Sequence, residues 1–469
     1  MTTHDIQFGT DGWRAVIADG FTFETVRLVS RAIGVATRGF DPPPDIDRHL
    51  LVVGYDRRFL SREFAEAASE ELAASGYSVQ LSAAPLPSQA LAYTAWKRKA
   101  IGGVVITASH NPAAWNGVKF KGWYGGSGLP EMYAAIAERL GEKEERGGGS
   151  ISESDFLSDY CQALREVVDL DTIRNAGLRI LHDPIHGVAA GIPERVLGEG
   201  SRSTVTTVRG EVNPSFGGAN PEPIPGNIGP AVEAMAAGDY DLAICNDGDA
   251  DRVGILDERG EFVSPHKLIG LLALELVRHR GMKGEIVKTF STSRLVEKIA
   301  RKLGVPFHET PIGFKYVADL MLGRNVVIGG EESGGIGFGA FIPERDGILS
   351  GLLTAECVAS RGASLSALVE EMEREFGHLH YGRRDVKSPM AANERLIERA
   401  NSGGLDAIFP GKVLSREDKD GVKLNFADGG WILFRKSGTE PIVRIYCESP
   451  ERSRVDEMLD AAVRELARV

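Results

Sequence analysis

Short aliphatic runs alternate with amphipathic stretches along most of this chain. Residues 50–55 (LLVVGY) and 101–107 (IGGVVIT) are apolar runs of strand length, and residues 62–75 between them have a helical pattern rich in alanine and acidic side chains. The alternation recurs at 178–183 (LRILHD), at 241–245 (DLAIC) after an alanine-rich helix, at 285–288 before the helical 292–303, and at 325–328. Strand and helix in turn predict parallel sheets with crossover helices, whose ligands sit beyond the carboxyl ends of the strands. The tail differs. Strand-like 422–426, 430–434 and 442–447 precede a final charged, alanine-containing helix, which is an α+β pattern.

Three breaks interrupt the pattern: residues 142–150 (EKEERGGGS), the turn 257–260 (DERG), and residues 376–377 after the acidic helix 365–375. The expected units are therefore 1–150, 151–257, 258–376 and 377–469. A length of 469 residues calls for several domains, at roughly 100–200 residues each. The first three units have the pattern of structural repeats, without a fixed sequence period.

A net charge of −12 argues against attraction to nucleic acid or an anionic membrane surface, and leaves room for a local basic pocket. No apolar run approaches the roughly 18 residues of a membrane span. The start, MTTHDIQFGTDGWR, lacks a basic stretch followed by an apolar one, so no secretory leader is expected. Cys161, Cys245, Cys357 and Cys447 are scattered with no CxxC pair. They read as small buried hydrophobes in a reducing cytoplasm.

Four segments carry chemistry. In Asp247-Gly-Asp249-Ala-Asp251-Arg252, three carboxylates at alternate positions follow an apolar strand. Alternate side chains of extended backbone share a side, and like charges so placed repel unless a cation sits among them. Hard oxygen ligands suit Mg²⁺. A calcium EF-hand matches at Asp247, Asp249, Asp251 and Glu258, but Arg252 stands where that loop needs glycine, and strands are expected on both sides. The DxD spacing also permits an aspartyl nucleophile at Asp247, as in a haloacid-dehalogenase-like phosphatase.

Thr107-Ala-Ser109-His110-Asn111-Pro112 follows the strand 101–107 and turns sharply. Ser109 is a candidate nucleophile, although its adjacency to His110 is poor spacing for a hydrolase pair. Lys119, a little further on, is a candidate proton donor and acceptor. Residues 329–335 (GGEESGG) place Glu331 and Ser333 on a glycine-rich turn suited to sugar hydroxyls. Arg435, Ser437, Gly438 and Thr439 offer a guanidinium fork, two hydroxyls and a backbone amide to a phosphate. The competing reading of that segment is a polar hairpin turn. A non-catalytic sugar-phosphate or calcium-binding protein is a further reading of the same loops.

Taken in order, FGTDGWR, TASHNP, DGDADR, GEESGG and RKSGTEP resemble the successive signatures of the α-D-phosphohexomutase superfamily, the phosphoglucomutases and phosphomannomutases. The resemblance runs from residue 8 to about residue 441. It implies a heart-shaped four-domain α/β architecture: three related α/β domains and a C-terminal α+β domain of TATA-box-binding-protein-like fold. It implies a hexose 1-phosphate/6-phosphate interconversion, glucose first, through an enzyme phosphoserine and a hexose 1,6-bisphosphate. Carried over residue by residue, Ser109 is the phosphoserine. Ser109, Asp247, Asp249 and Asp251 bind one Mg²⁺. Arg14, His110 and Arg252 are cations around the transferring phosphoryl, and Lys119 is the general acid/base. Glu331 and Ser333 read the sugar, Lys288 contacts substrate, and Arg435, Ser437, Gly438 and Thr439 hold the non-reacting phosphate.

The chain departs from common members at Gly335, where a GEMSGH-type loop has His, and at Phe314, where relatives have His or Trp. TASHNP leans towards glucose or mannose phosphates, while SGTEP is shared with glucosamine mutases. Phosphomannomutase, phosphoglucosamine mutase and phosphopentomutase specificities stay open. The partners implied are small sugar phosphates, with no nucleic acid and no membrane, in a cytoplasmic monomer or homodimer.

Overall fold

The structure is a computed structural model describing residues 6–9, 11–142, 147–436 and 441–468. Its strands form four sheets. The first runs in space Trp13–Val16, Trp115–Gly122, Ala100–Ile106, Asp47–Tyr55, Ser78–Ser82, Ser150–Ser154. The second runs Phe262–Val263, Val253–Asp257, Leu242–Asn246, Arg179–Asp183, Thr204–Thr207. The third runs Phe307–Thr310, Glu285–Thr289, Val326–Gly330, Ile336–Phe338. The fourth is antiparallel throughout, His380–Lys387, Ile442–Ser449, Trp431–Lys436, Val422–Phe426, Val413–Glu417, and packs against the helices Met390–Ser402 and Arg452–Leu466.

The first three sheets are mixed rather than wholly parallel. In each, a buried strand runs into a signature loop and returns as an antiparallel neighbour. Ala100–Ile106 leads through the Ser109 loop to Trp115–Gly122. Leu242–Asn246 leads through the aspartate loop to Val253–Asp257, and Val326–Gly330 leads through GEESGG to Ile336–Phe338. The apolar runs that signalled strands are these central ones, buried along their whole length. The hairpins set all three loops at carboxyl ends of parallel-paired strands, where ligands collect in such sheets.

Sheet membership runs past two expected boundaries. Ser150–Ser154 pairs with Ser78–Ser82, so the first unit continues beyond residue 150. Phe262–Val263 pairs with Val253–Asp257, so the second continues beyond residue 257. The glycines at 147–149 and the turn at 257–260 each deliver the chain to an edge strand instead of out of the unit.

One apolar core passes through the first three units, holding Val52, Tyr160, Ile244, Leu272, Ile328 and Phe376 together. Polar pins lock it. Gln89 Nε2 donates to Ala250 O (2.8 Å), and the Tyr160 hydroxyl donates to Asp346 (2.8 Å). The Asp346 carboxylate caps the helix Gly347–Arg361 through Leu349 N. A Cβ on Gly347 would lie 2.2 Å from Arg252 O, so only glycine lets this helix start against the aspartate loop. The four cysteines are buried and unpaired. Among the described residues no single helix is long and apolar enough to cross a membrane.

The fourth unit has its own core and meets the third through Phe290, Trp431, Leu433 and Tyr446. Lys423 is 3% exposed there, with its Nζ 3.7 Å from the Phe290 ring centre and 4.9 Å from that of Trp431. Burial, then the charge of Lys288, pushes its pKa down to about 7 against the pull of Glu309 and Glu417. Lys419 shares Glu309 with it. A lysine whose folded pKa lies below its unfolded one carries fewer protons in the folded state between the two values, so stability rises with pH in that window. The urea midpoint is expected to rise from pH 7 to pH 9, and Lys423→Met to flatten that rise. An equal slope in wild type and variant would count against it.

Candidate active site

The signature loops and the fourth sheet line one cleft of about 1360 Å³. Arg14 and His110 come from the first unit, Arg252 and Glu222 from the second, Glu331, Glu332, Ser333 and Arg345 from the third, and Tyr381, Arg383 and Arg435 from the fourth. Ser109 lies just beneath this lining, 2% exposed, with a left-handed φ of 53° that turns its loop back on itself. Its Oγ donates to Asp247 Oδ2 (2.9 Å) and lies 3.5 Å from His110 Nδ1. The hydroxyl and the aspartate loop, far apart along the chain, are therefore in direct contact.

The three aspartates are buried, and their ligand oxygens lie within 4.8 Å of one another. Arg252 N donates to Asp247 Oδ1 (3.0 Å), which curls the loop over its first carboxylate. Ser88 Oγ donates to Asp249 Oδ2 (2.5 Å). Burial, then Asp251 and Asp249, pushes the Asp247 carboxyl well above the usual range. Burial pushes Asp249 the same way, but Lys119 and the hydroxyls of Ser88 and Ser109 hold it well below. Asp249 Oδ1 and Asp251 Oδ1 are buried with no hydrogen-bond partner. Two orphaned carboxylate oxygens beside a third carboxylate fit a hard divalent cation. The EF-hand reading fails on the flanks, which are strands, and on Glu258, which accepts from Ser366 instead.

Lys119 is fully buried, with its Nζ 2.9 Å from Asp11 Oδ2, 2.9 Å from Asp249 Oδ2 and 3.6 Å from Asp251 Oδ2. Burial works against its charge, and these carboxylates more than offset that, holding the ammonium above its ordinary pKa. Arg345 Nη2 lies 2.7 Å from Asp251 and 3.0 Å from Asp11, and its Nη1 lies 3.5 Å from Glu331. Lys121 pairs with Glu344 at 2.7 Å. Burial, then the positive charges of Arg252 and Arg14, pushes His110 well below its ordinary pKa. Arg14 donates to Asn111 Oδ1 (2.6 Å), and Arg252 pairs with Glu222 (3.1 Å). Burial pushes Glu331 up to about 7 despite Arg345.

Ser109, His110, Lys119, Arg14, Arg252, the three aspartates, Glu331 and Ser333 thus gather at one end of the cleft or its lining. Arg435 lines the cleft from the fourth unit, its Nε paired with Asp420 (2.9 Å), while Ser437, Gly438 and Thr439 lie outside the described residues. Lys288 lies behind the cleft lining, close to His266. It is 1% exposed, donates to Glu309 Oε2 (2.5 Å) and Thr292 O (3.0 Å), and does not line the cleft. Sequence reasoning passed over Asp11, Lys121, Glu344 and Arg345. Asp11 sits inside FGTDGWR beside Arg14, and Glu344-Arg345-Asp346 is a charged triplet set in an apolar stretch, a sign of buried charge.

Four models of the phosphoglucomutase/phosphomannomutase domains match the chain: alpha/beta/alpha domain I at 5–147, domain II at 158–260, domain III at 264–376 and the C-terminal domain at 383–465. A phosphoglucomutase/phosphomannomutase of Thermococcus kodakarensis is 31% identical, over 97% of this chain and 97% of its own. A phosphoglucosamine mutase of Paenarthrobacter aurescens is 31% identical, over 98% and 97%. The crystal structure of a Thermus thermophilus protein described as a phosphomannomutase superposes with a TM-score of 0.87 at 36% identity, over 99% of each chain. The chain belongs to the phosphoglucomutase/phosphomannomutase family. It is an isomerase-class phosphohexomutase with that family's four-domain fold.

Proposed function

We propose that this protein interconverts hexose 1-phosphate and hexose 6-phosphate, glucose being the first substrate to try, with Ser109 carrying the phosphoryl group. The observation that bears most weight is the Ser109 hydroxyl in hydrogen-bond contact with Asp247 inside a buried triad of aspartates. Asp247, Asp249 and Asp251 would hold Mg²⁺ with a Ser109 oxygen, and the ion supplies positive charge against the phosphoryl oxygens. Lys119, kept as an ammonium beside Asp249, gives a proton to Ser109 Oγ as the Ser–O–P bond breaks, and the proton that the attacking sugar hydroxyl loses as its O–P bond forms returns to Lys119. Arg14 and Arg252 add positive charge, and His110, its Nδ1 3.5 Å from Ser109 Oγ, orients the serine. The hexose 1,6-bisphosphate so formed turns, anchored by Arg435, and returns its other phosphoryl group to Ser109. Glu331 and Ser333 receive sugar hydroxyls. The four-sided cleft keeps water from the phosphoserine.

A second sugar is favoured by one residue. Glu332 lines the cleft and accepts from Ser291 Oγ (2.6 Å), and among the described residues no Lys or Arg lies within ion-pair distance of it. A carboxylate so placed suits the ammonium of a 2-amino sugar as well as a hydroxyl. A coupled assay with Mg²⁺ and a trace of glucose 1,6-bisphosphate, run on glucose, mannose, glucosamine and ribose 1-phosphates, ranks the substrates by kcat/KM. Turnover is expected with glucose 1-phosphate. Silence with all four would defeat the reading.

A further inference from the structure

The serine loop is gripped from behind by a buried arginine. Arg58, 3% exposed, follows the central strand Asp47–Tyr55 of the first sheet. Its Nη2 donates to Ser109 O (2.6 Å) and Asn111 O (2.7 Å), and its Nη1 to Pro112 O (2.8 Å) and Trp115 O (3.0 Å). One guanidinium thus takes four carbonyls of the turn that carries Ser109. The fork is itself held. Its Nε lies 3.2 Å from Asp56 Oδ2. Asp56 Oδ1 accepts from Ser61 Oγ (2.6 Å), which accepts from Asn116 Nδ2 (2.9 Å) on the returning strand. Phe216 of the second unit covers the guanidinium at 4.9 Å.

This grip answers a conformational problem. Ser109 has a side chain and a φ of 53°, a conformation costing a non-glycine residue roughly 1–2 kcal/mol, which persists only where the surroundings over-determine it. Four carbonyl oxygens converging on one point would also repel one another without a donor among them. A planar fork with five N–H groups satisfies them, whereas a lysine ammonium is a point charge with three donors and cannot span the turn. Arg58 does not line the cleft. Its route to the chemistry is through the backbone of Ser109.

We infer that Arg58 is a positioning residue for phosphoryl transfer: by clamping the carbonyls of residues 109, 111, 112 and 115 it aims Ser109 Oγ at the aspartate triad. This rests on the reading that Ser109 carries the phosphoryl group. Its signature is a slower transfer step with sugar binding left intact.

The test uses the full-length enzyme with Mg²⁺ as wild type, Arg58→Lys and Arg58→Ala. Three quantities are read: the rate at which glucose 1,6-bisphosphate phosphorylates Ser109, by intact mass; kcat and KM for glucose 1-phosphate; and the folded fraction. A serine misaimed by about an ångström is expected to lower both the phosphorylation rate and kcat about 10²-fold in each variant. KM should stay within about threefold of wild type. Low concentrations of guanidinium chloride should restore part of the rate in Arg58→Ala and none in Arg58→Lys, whose ammonium fills the site. Arg58→Lys phosphorylated and turning over at near the wild-type rate overturns the inference. So does a rate loss that merely tracks lost folded protein, or a raised KM with kcat unchanged. If Arg58→Ala does not fold, Arg58→Lys decides by the kcat and KM split. Wild type that takes no phosphate on Ser109 would instead defeat the reading beneath it, and the inference with it.

Discussion

Ser109→Ala is expected to lower hexose-phosphate isomerisation about 10³-fold or more while the protein stays folded. The only atom removed is the Oγ that donates to Asp247 and neighbours His110. The bonds that shape the loop, from Ser109 N to Thr107 Oγ1 and from Arg58 Nη2 to Ser109 O, do not depend on it. A lost hydroxyl hydrogen bond should therefore cost about 1 kcal/mol of stability. Two measurements belong together: the coupled assay, and the intact mass after incubation with glucose 1,6-bisphosphate. Wild type should gain one phosphate and the variant none. A variant that keeps wild-type turnover, or that is phosphorylated at the same site count, would remove Ser109 from the chemistry. It would also return the aspartyl-nucleophile reading of Asp247 to consideration.

Lys119→Met should damage both fold and function. Its ammonium is the one cation within ion-pair reach of Asp249 among the described residues, and it also neutralises Asp11 and Asp251, both of which retain Arg345. Removing one partner of a buried charge cluster leaves an uncompensated charge and costs about 3–5 kcal/mol. Isomerisation should fall about 10²–10⁴-fold with the loss of the proton donor. Added Mg²⁺ should raise the thermal midpoint of the variant more than that of wild type, because binding stabilises the folded state and the variant's aspartates have lost a competing cation. The stability readout stands apart from activity. A midpoint equal to that of wild type, with no added response to Mg²⁺, would show that the cluster does not lean on Lys119.

Much of the fold was legible in the residues taken one after another. Runs such as IGGVVIT and DLAIC are strands because their whole length is buried, and the glycine- and proline-marked turns after them mark where the chain reverses. The triplet of aspartates announced a shared charge, and the alternating pattern announced sheets with helices between them. Two boundaries came out short because linker-like composition does not distinguish a chain leaving a unit from one reaching an edge strand.

What local pattern could not supply was which charge meets which. Lys288 has the look of a substrate contact in its motif, and that motif gives no sign of its pairing with Glu309. Arg345 and Asp11, neither conspicuous alone, become central because the first, second and third units bring them against Asp251 and Lys119. Arg58 reads as a polar residue after a strand until four carbonyls are seen to converge on it. The reason is one of range. Periodicity and turn chemistry act between near neighbours along the chain, so the order of residues settles strands, turns and the family's motifs. Ion pairing and hydrogen bonding act over a few ångströms and gain their strength from burial, so the partners of each buried charge are decided only when separate units pack together.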